Sequence, residues 1–214
     1  MGLDRRDIGV AILAGGEATR LPGKLQLAAG EVPMIVRVFR NVSGDRETYI
    51  SCKATFSPEI DALLPCPMVV DHWQLRGPLA GMLSTFAEMS SPFVFAVAGD
   101  APFVESAFID RLAREWNEGD EAIVPVHNAG GKEMLEPLTA LYDRRAFLRE
   151  GFEVLMSSKG ALRAVIDRLR ARKVRIDDPR IFTNVNTPAD YQKLRKSLSG
   201  APRGIEQYSN ADGA

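Results

Sequence analysis

An unbroken apolar run that stops at two adjacent glycines constrains this chain more than any other feature. Val10-Ala11-Ile12-Leu13-Ala14 is apolar at every position and rich in small and β-branched residues. A strand of that kind needs cover on both faces, as in the parallel sheets of α/β proteins. Gly15-Gly16 then lets the backbone turn sharply and lets a ligand come close to main-chain N–H groups. Arg20 and Lys24 follow on the same loop. Strand, glycine turn and positive charge together describe an anion site, with a polyphosphate as the best-fitting occupant. A tight turn without a ligand is the plain alternative.

Two common phosphate motifs are excluded. A Walker A loop ending at Gly23-Lys24 would need glycine at position 18, which is Ala, and a hydroxyl residue at position 25, which is Leu. The dinucleotide fingerprint is absent because the glycines are adjacent rather than alternating.

The rest of the chain alternates strand-like and amphipathic segments, the rhythm of a single α/β domain. Strands are expected at 47–52, 67–70, 92–98, 121–126 and 138–142, with an edge strand at 173–177. Helices are expected at 34–42, 57–64, 77–89, 105–116, 143–156, 160–170 and from Pro188 to about Leu198. Asn128-Ala129-Gly130-Gly131 is turn-rich, so the strands on either side of it are expected to pair antiparallel. The domain is taken as residues 1–198. The stretch 199–214, rich in Gly, Ser, Asn and Pro, is expected to be a disordered tail.

Composition narrows the function. A net charge of −1 over 214 residues argues against a general nucleic-acid or anionic-membrane surface. No apolar run is long enough to span a bilayer, and the charged N-terminus does not resemble a signal peptide. A cytoplasmic protein with two reduced thiols, Cys52 and Cys66, is expected. With His72 and His127 as the only histidines, a transition-metal site is not expected.

In open α/β sheets ligands bind outside the carboxyl ends of the strands. Four features fall there: the glycine loop, Asp71, Asp100 and the Asn184/Asn186 pair. Asp100 follows the most apolar strand and suits Mg²⁺, which takes one or two protein carboxylates plus phosphate oxygens. It also suits a turn or helix cap. Asp71 reads as a nucleotide contact or an Asx-turn. Asn184 and Asn186 alternate, so in extended backbone both point one way, toward a metal or a phosphate. Thr187 before Pro188 already supplies the cap of the last helix. Met134 and Met156 read as core filler, and Arg144, Arg145, Arg163 and Arg168 as solvated helix faces.

Five segments, in order, resemble the molybdenum cofactor guanylyltransferases of the nucleotidyltransferase superfamily. They are Leu13-Ala14-Gly15-Gly16 with Arg20 and Lys24, Gly77-Pro78-Leu79-Ala80-Gly81, Ala98 to Phe103, Glu136 to Tyr142, and Asn184-Val185-Asn186-Thr187-Pro188. The resemblance covers residues 8–198. It implies a Rossmann-like three-layer α/β/α domain with a mixed, mostly parallel sheet. It also implies Mg²⁺-dependent transfer of GMP from GTP to Mo-molybdopterin with release of pyrophosphate.

By matching position, Leu13, Ala14, Gly15 and Gly16 would line the nucleotide and Lys24 would hold its triphosphate, with Arg20 beside it. Asp71 would contact the nucleotide. Asp100 would bind Mg²⁺ and GTP, and Asn184 and Asn186 would sit by the pterin. The resemblance leaves room for transient contact with other proteins of molybdenum cofactor biosynthesis. The loop departs from the family pattern: Leu21-Pro22-Gly23 stands where a Met-Gly pair and an Asp before the lysine are usual. The related cytidylyltransferases carry Leu-Ala-Ala-Gly in the first motif. Gly15 in place of the second alanine leaves room for a purine, a preference worth only about 1–2 kcal/mol. The alternatives are cytidylyl transfer, nucleotidyl transfer to another phosphorylated small molecule, and a non-catalytic nucleotide-binding accessory protein.

Overall fold

The computed structural model describes residues 2–16, 19–70, 77–157 and 161–199. β1 (Ile8–Leu13) lies inside the sheet, parallel to both of its neighbours. Val10 and Ile12 enter the core on one face of the sheet, and Ala11 enters the core on the other. This two-sided burial is why the strand is apolar throughout instead of alternating with polar residues.

A short hairpin follows, β2 (Ala28–Ala29) with β3 (Val32–Pro33), and then α1 (Met34–Val42), β4 (Thr48–Cys52) and α2 (Pro58–Asp61). Next come β5 (Met68–Val70), α3 (Pro78–Glu88), β6 (Phe93–Ala98) and α4 (Ser106–Glu115). β7 (Ala122–Ala129), β8 (Lys132–Leu135) and β9 (Thr139–Asp143) form the antiparallel part. α5 (Arg144–Met156), α6 (Leu162–Ile166), β10 (Ala171–Arg175) and α7 (Pro188–Ser199) complete the chain.

The sheet order is β10-β7-β9-β6-β1-β4-β5, with β8 paired to β7. β5, β4, β1 and β6 run parallel, β9 is antiparallel to β6 and β7, and β10 is parallel to β7. Apolar residues of α1, α2 and α4 fill the core on one face, and those of α3, α5 and α6 fill the other. The result is the expected three-layer α/β/α domain with a mixed, mostly parallel sheet.

Several expectations need correction. α2 stops at Asp61 rather than Leu64, because Pro65 disfavours helical backbone in the residue before it. α6 stops at Ile166, and the chain is drawn into the sheet where Glu121 N–H donates to the Arg170 carbonyl at 2.9 Å. The Asn128–Gly131 turn closes β7 on β8, a strand not anticipated, and the expected antiparallel pairing of β7 with β9 forms as well. Met134 and Met156 are exposed, at 45% and 80%. Arg144 is not a solvated face: its guanidinium donates to the carbonyls of Ser91 (2.9 Å) and Phe86 (3.3 Å). The proposed tail from residue 200 onward lies outside the described residues.

Candidate active site

A cleft of ≈ 580 Å³ opens over the carboxyl ends of β1, β4 and β6, and the start of α3 forms part of its wall. Main-chain bonds tie its loops together. Ala14 N–H donates to the Ser51 carbonyl (2.7 Å), Gly99 N–H to Leu13 (2.9 Å) and Val185 N–H to Asp100 (3.0 Å). The glycine loop, Asp100 and the Asn184/Asn186 segment therefore share a frame. Gly77, at φ 103°, permits a backbone that an L side chain strains, and it opens α3 with Pro78 in the first turn.

Lys24 begins a 3₁₀ turn, Lys24–Gln26, entered through Gly23 in the left-handed region at φ 67°. Leu25 packs against the core, which anchors the turn. The Lys24 ammonium is ion-paired with Asp100 Oδ2 and also donates to Asn186 Oδ1 at 2.8 Å. The Lys24 and Asp100 side chains are only 13% and 11% exposed, so each charge depends on the other for compensation. One ammonium thus bridges two oxygens that face the cleft. A triphosphate entering there offers the lysine a new counter-charge, and its release frees Asp100 for another cation.

The asparagine segment is held from both sides. Val185 is fully buried beside Met34 and Leu194, so alternation turns Asn184 and Asn186 together onto the cleft wall. Thr187 and Asp190 cap α7 reciprocally. Asp190 N–H donates to Thr187 Oγ1 (3.2 Å), while Asp190 Oδ2 accepts from the N–H groups of Thr187 (2.9 Å) and Asn186 (3.2 Å). The Thr187 hydroxyl, more than any other group, holds the Asp190 carboxyl below its ordinary range. Capping therefore leaves both asparagine side chains to the cleft.

Leu13, Ala14, Gly15, Gly16, Lys24, Asp100, Asn184 and Asn186 all line this one cleft. Arg20 is exposed and does not line it. Asp71 and His72 lie outside the described residues. Gln26 and Phe56 also line the cleft and were not singled out from the sequence, and so do Ser51 and Lys53, where no nucleotide contact is expected because the family's asparagine is replaced there. Ser51 and Lys53 sit at the end of β4, so the strand-end rule applied to that strand would have found them.

Asp100 is the one carboxylate among the described cleft-lining residues. No cluster of three or more His, Cys, Asp or Glu exists among the described residues, which excludes a cage built of protein ligands alone there. A single carboxylate beside a phosphate site is nonetheless the donor set that suits Mg²⁺. Gly15 is required neither by a positive φ nor by crowding. A Cβ there would stand 3.6 Å from Lys53 Cγ, an ordinary contact.

The MobA-like NTP transferase domain family matches residues 10–174. A protein of Bacillus mycoides (strain KBAB4) named "probable molybdenum cofactor guanylyltransferase" is 26% identical over 198 residues, which cover 88% of this chain and 96% of that protein. The fold is similar to that of molybdopterin-guanine dinucleotide biosynthesis protein A from Archaeoglobus fulgidus, with TM-score 0.76, 21% identity, and coverage of 90% of this chain and 100% of that one. It is also similar to 4-diphosphocytidyl-2C-methyl-D-erythritol synthase from Anaerococcus prevotii, with TM-score 0.74, 10% identity, and coverage of 92% and 100%. No helix among the described residues is long and apolar enough to cross a membrane. With the family matched over most of its length and the strand-end cleft in place, this chain belongs to the MobA-like NTP transferase family.

Proposed function

We propose that this chain is a molybdenum cofactor guanylyltransferase, transferring GMP from GTP to Mo-molybdopterin and releasing pyrophosphate. The observation that carries the reading is the convergence of Lys24, Asp100 and Asn186 at the glycine-loop end of one cleft. The relative from Bacillus mycoides, similar over almost the whole chain, supports the choice of substrates.

The terminal phosphate oxygen of molybdopterin forms a bond to the α-phosphorus of GTP. The bond from that phosphorus to the β-phosphate oxygen breaks, and pyrophosphate leaves. A phosphate nucleophile is already anionic near neutral pH, so no strong general base is needed. The protein's work is positioning and charge neutralisation. The main-chain N–H groups at Gly15 and Gly16 and the Lys24 ammonium hold the triphosphate. Asn184 and Asn186 orient the acceptor phosphate. Asp100 would hold Mg²⁺, which would offset charge on the phosphate oxygens. Cys52 and Cys66 are free thiols, in keeping with a cytoplasmic enzyme.

Calorimetric titration with GTP, CTP, ATP and UTP in the presence of Mg²⁺ tests nucleotide choice. Pyrophosphate release with Mo-molybdopterin as acceptor tests the reaction. Selective GTP binding and acceptor-dependent pyrophosphate release are expected. Preference for CTP, or GTP binding without release, overturns the proposal.

A further inference from the structure

We infer that His127 is a positioning residue for the acceptor side of the cleft. The inference rests on the proposed reaction for its kinetic test, though not for its structural one. His127 lies in β7, does not line the cleft, and has a side chain only 13% exposed. Its Nε2 is 2.8 Å from Glu136 Oε1, and its ring stacks on Phe182 with centroids 5.1 Å apart and planes at 25°. Nδ1 is buried and has no partner among the described residues. The Glu136 carboxylate can only accept, so Nε2 carries a proton and donates to it.

A residue serving only to fill space beside Phe182 would not need a polar ring. A phenylalanine would stack there without leaving an orphaned nitrogen, which costs free energy. What the histidine adds is the bond to Glu136, and that bond closes a ring of contacts around the site. Glu136 leads by two residues to Leu138, which lines the cleft and whose carbonyl accepts from Ala98 N–H at 3.2 Å. Ala98 leads to Asp100, whose carbonyl accepts from Val185 N–H at 3.0 Å. Val185 leads back through Asn184 to Phe182, which returns to His127. Opening the ring at His127 removes the link between the Leu138 and Asn184 walls, each of which then keeps only its own bond to the Ala98–Asp100 segment. The Lys24 turn is not a link of the ring, and its ammonium meets it only through Asp100 and Asn186.

The test uses His127→Phe, which keeps the stack and loses the bond, together with Glu136→Ala and Glu136→Gln. The glutamine's amide oxygen still accepts from Nε2. For His127→Phe and Glu136→Ala we expect GTP affinity within twofold of the unchanged protein and about a tenfold rise in KM for Mo-molybdopterin. Glu136→Gln should restore the acceptor KM. In the protein without nucleotide, the side-chain amide NMR signals of Asn184 and Asn186 should shift in His127→Phe and return in Glu136→Gln. Unmoved amide signals overturn the inference, even if the unchanged protein turns out not to use Mo-molybdopterin. A fall in GTP affinity parallel to the acceptor effect, or an unchanged acceptor KM in a protein that does turn over, overturns it as well.

Discussion

Asp100 and Glu121 are buried to the same degree, each 8% exposed, yet the fold uses them in opposite ways. Glu121 begins the antiparallel part of the sheet. Its oxygens accept from Arg170 N–H (3.0 Å) and the Arg149 guanidinium (3.1 Å), and the Arg170 guanidinium lies 3.2 Å away. Those partners come from elements it helps to join. Asp100 ends the most apolar strand and is paired with a lysine from a loop across an open cleft. Burial alone does not separate a structural acid from an available one. The source of the partner does: Arg170 is tied by main-chain bonds, whereas Lys24 lines an open cleft.

The largest effect should therefore divide the two acids. Asp100→Ala should lower turnover on the order of 10³-fold and, by leaving the Lys24 ammonium unpaired, should also lower Tm. Glu121→Gln should leave turnover within a few-fold while costing about 2 kcal/mol of stability. Steady-state kinetics and denaturant titration on the same two variants check both halves. If Asp100→Ala keeps turnover within a few-fold, as Glu121→Gln should, the distinction is wrong.

Lys24→Met comes next. It removes the triphosphate's cation and should reduce kcat/KM for GTP about 100-fold. It also leaves Asp100 without its ammonium partner. The variant should therefore bind Mn²⁺ more tightly than the unchanged protein in the absence of nucleotide, read by electron paramagnetic resonance. Equal Mn²⁺ affinity would mean that Lys24 does not hold the acid in reserve.

Much of this contrast could be read in the chain, and the unread part has physical causes. β1 and β6 were legible because two-sided burial makes them apolar without interruption. The capped asparagine motif was legible because Thr187-Pro188 marks a helix start. β8 was not. Lys132, Glu133 and Met134 are all exposed, so no alternation of apolar and polar residues announces the strand. Its only signal was the Asn128–Gly131 turn, which pointed instead to the more apolar run beyond it. The pairing of Lys24 with Asp100 spans 76 positions and depends on the pitch of one short turn. Composition and spacing show two charges, not that they meet. Arg20 lies on the same loop, exposed and not among the residues that line the cleft.

Gly15→Ala gives a smaller effect and tests the cleft side alone. The added methyl meets Lys53 Cγ at an ordinary 3.6 Å, so the fold should tolerate it. The change should narrow the space beside the base and lower the GTP-to-CTP preference by about tenfold. Paired titrations with the two nucleotides measure it. An unchanged ratio would place base choice elsewhere on the cleft wall.

The smallest effect belongs to the structural acid. Burial pushes the Glu121 carboxyl up, but the Arg170 N–H and the two guanidiniums outweigh it and hold the group below its ordinary value of 4.5. A carboxylate depressed in the folded state contributes its full stability above the unfolded value and loses it as pH falls through the folded one. Glu47, held low against burial by Ser90 and Ser91, acts in the same direction. Tm should therefore be flat at neutral pH and decline as the pH drops below about 4.5. Glu121→Gln, already less stable, should show a shallower decline over the same window, because its amide does not titrate. Parallel declines in the two proteins would remove Glu121 from the acid response. The arginine contacts around it would then be packing alone, and its contrast with Asp100 would rest on position rather than charge.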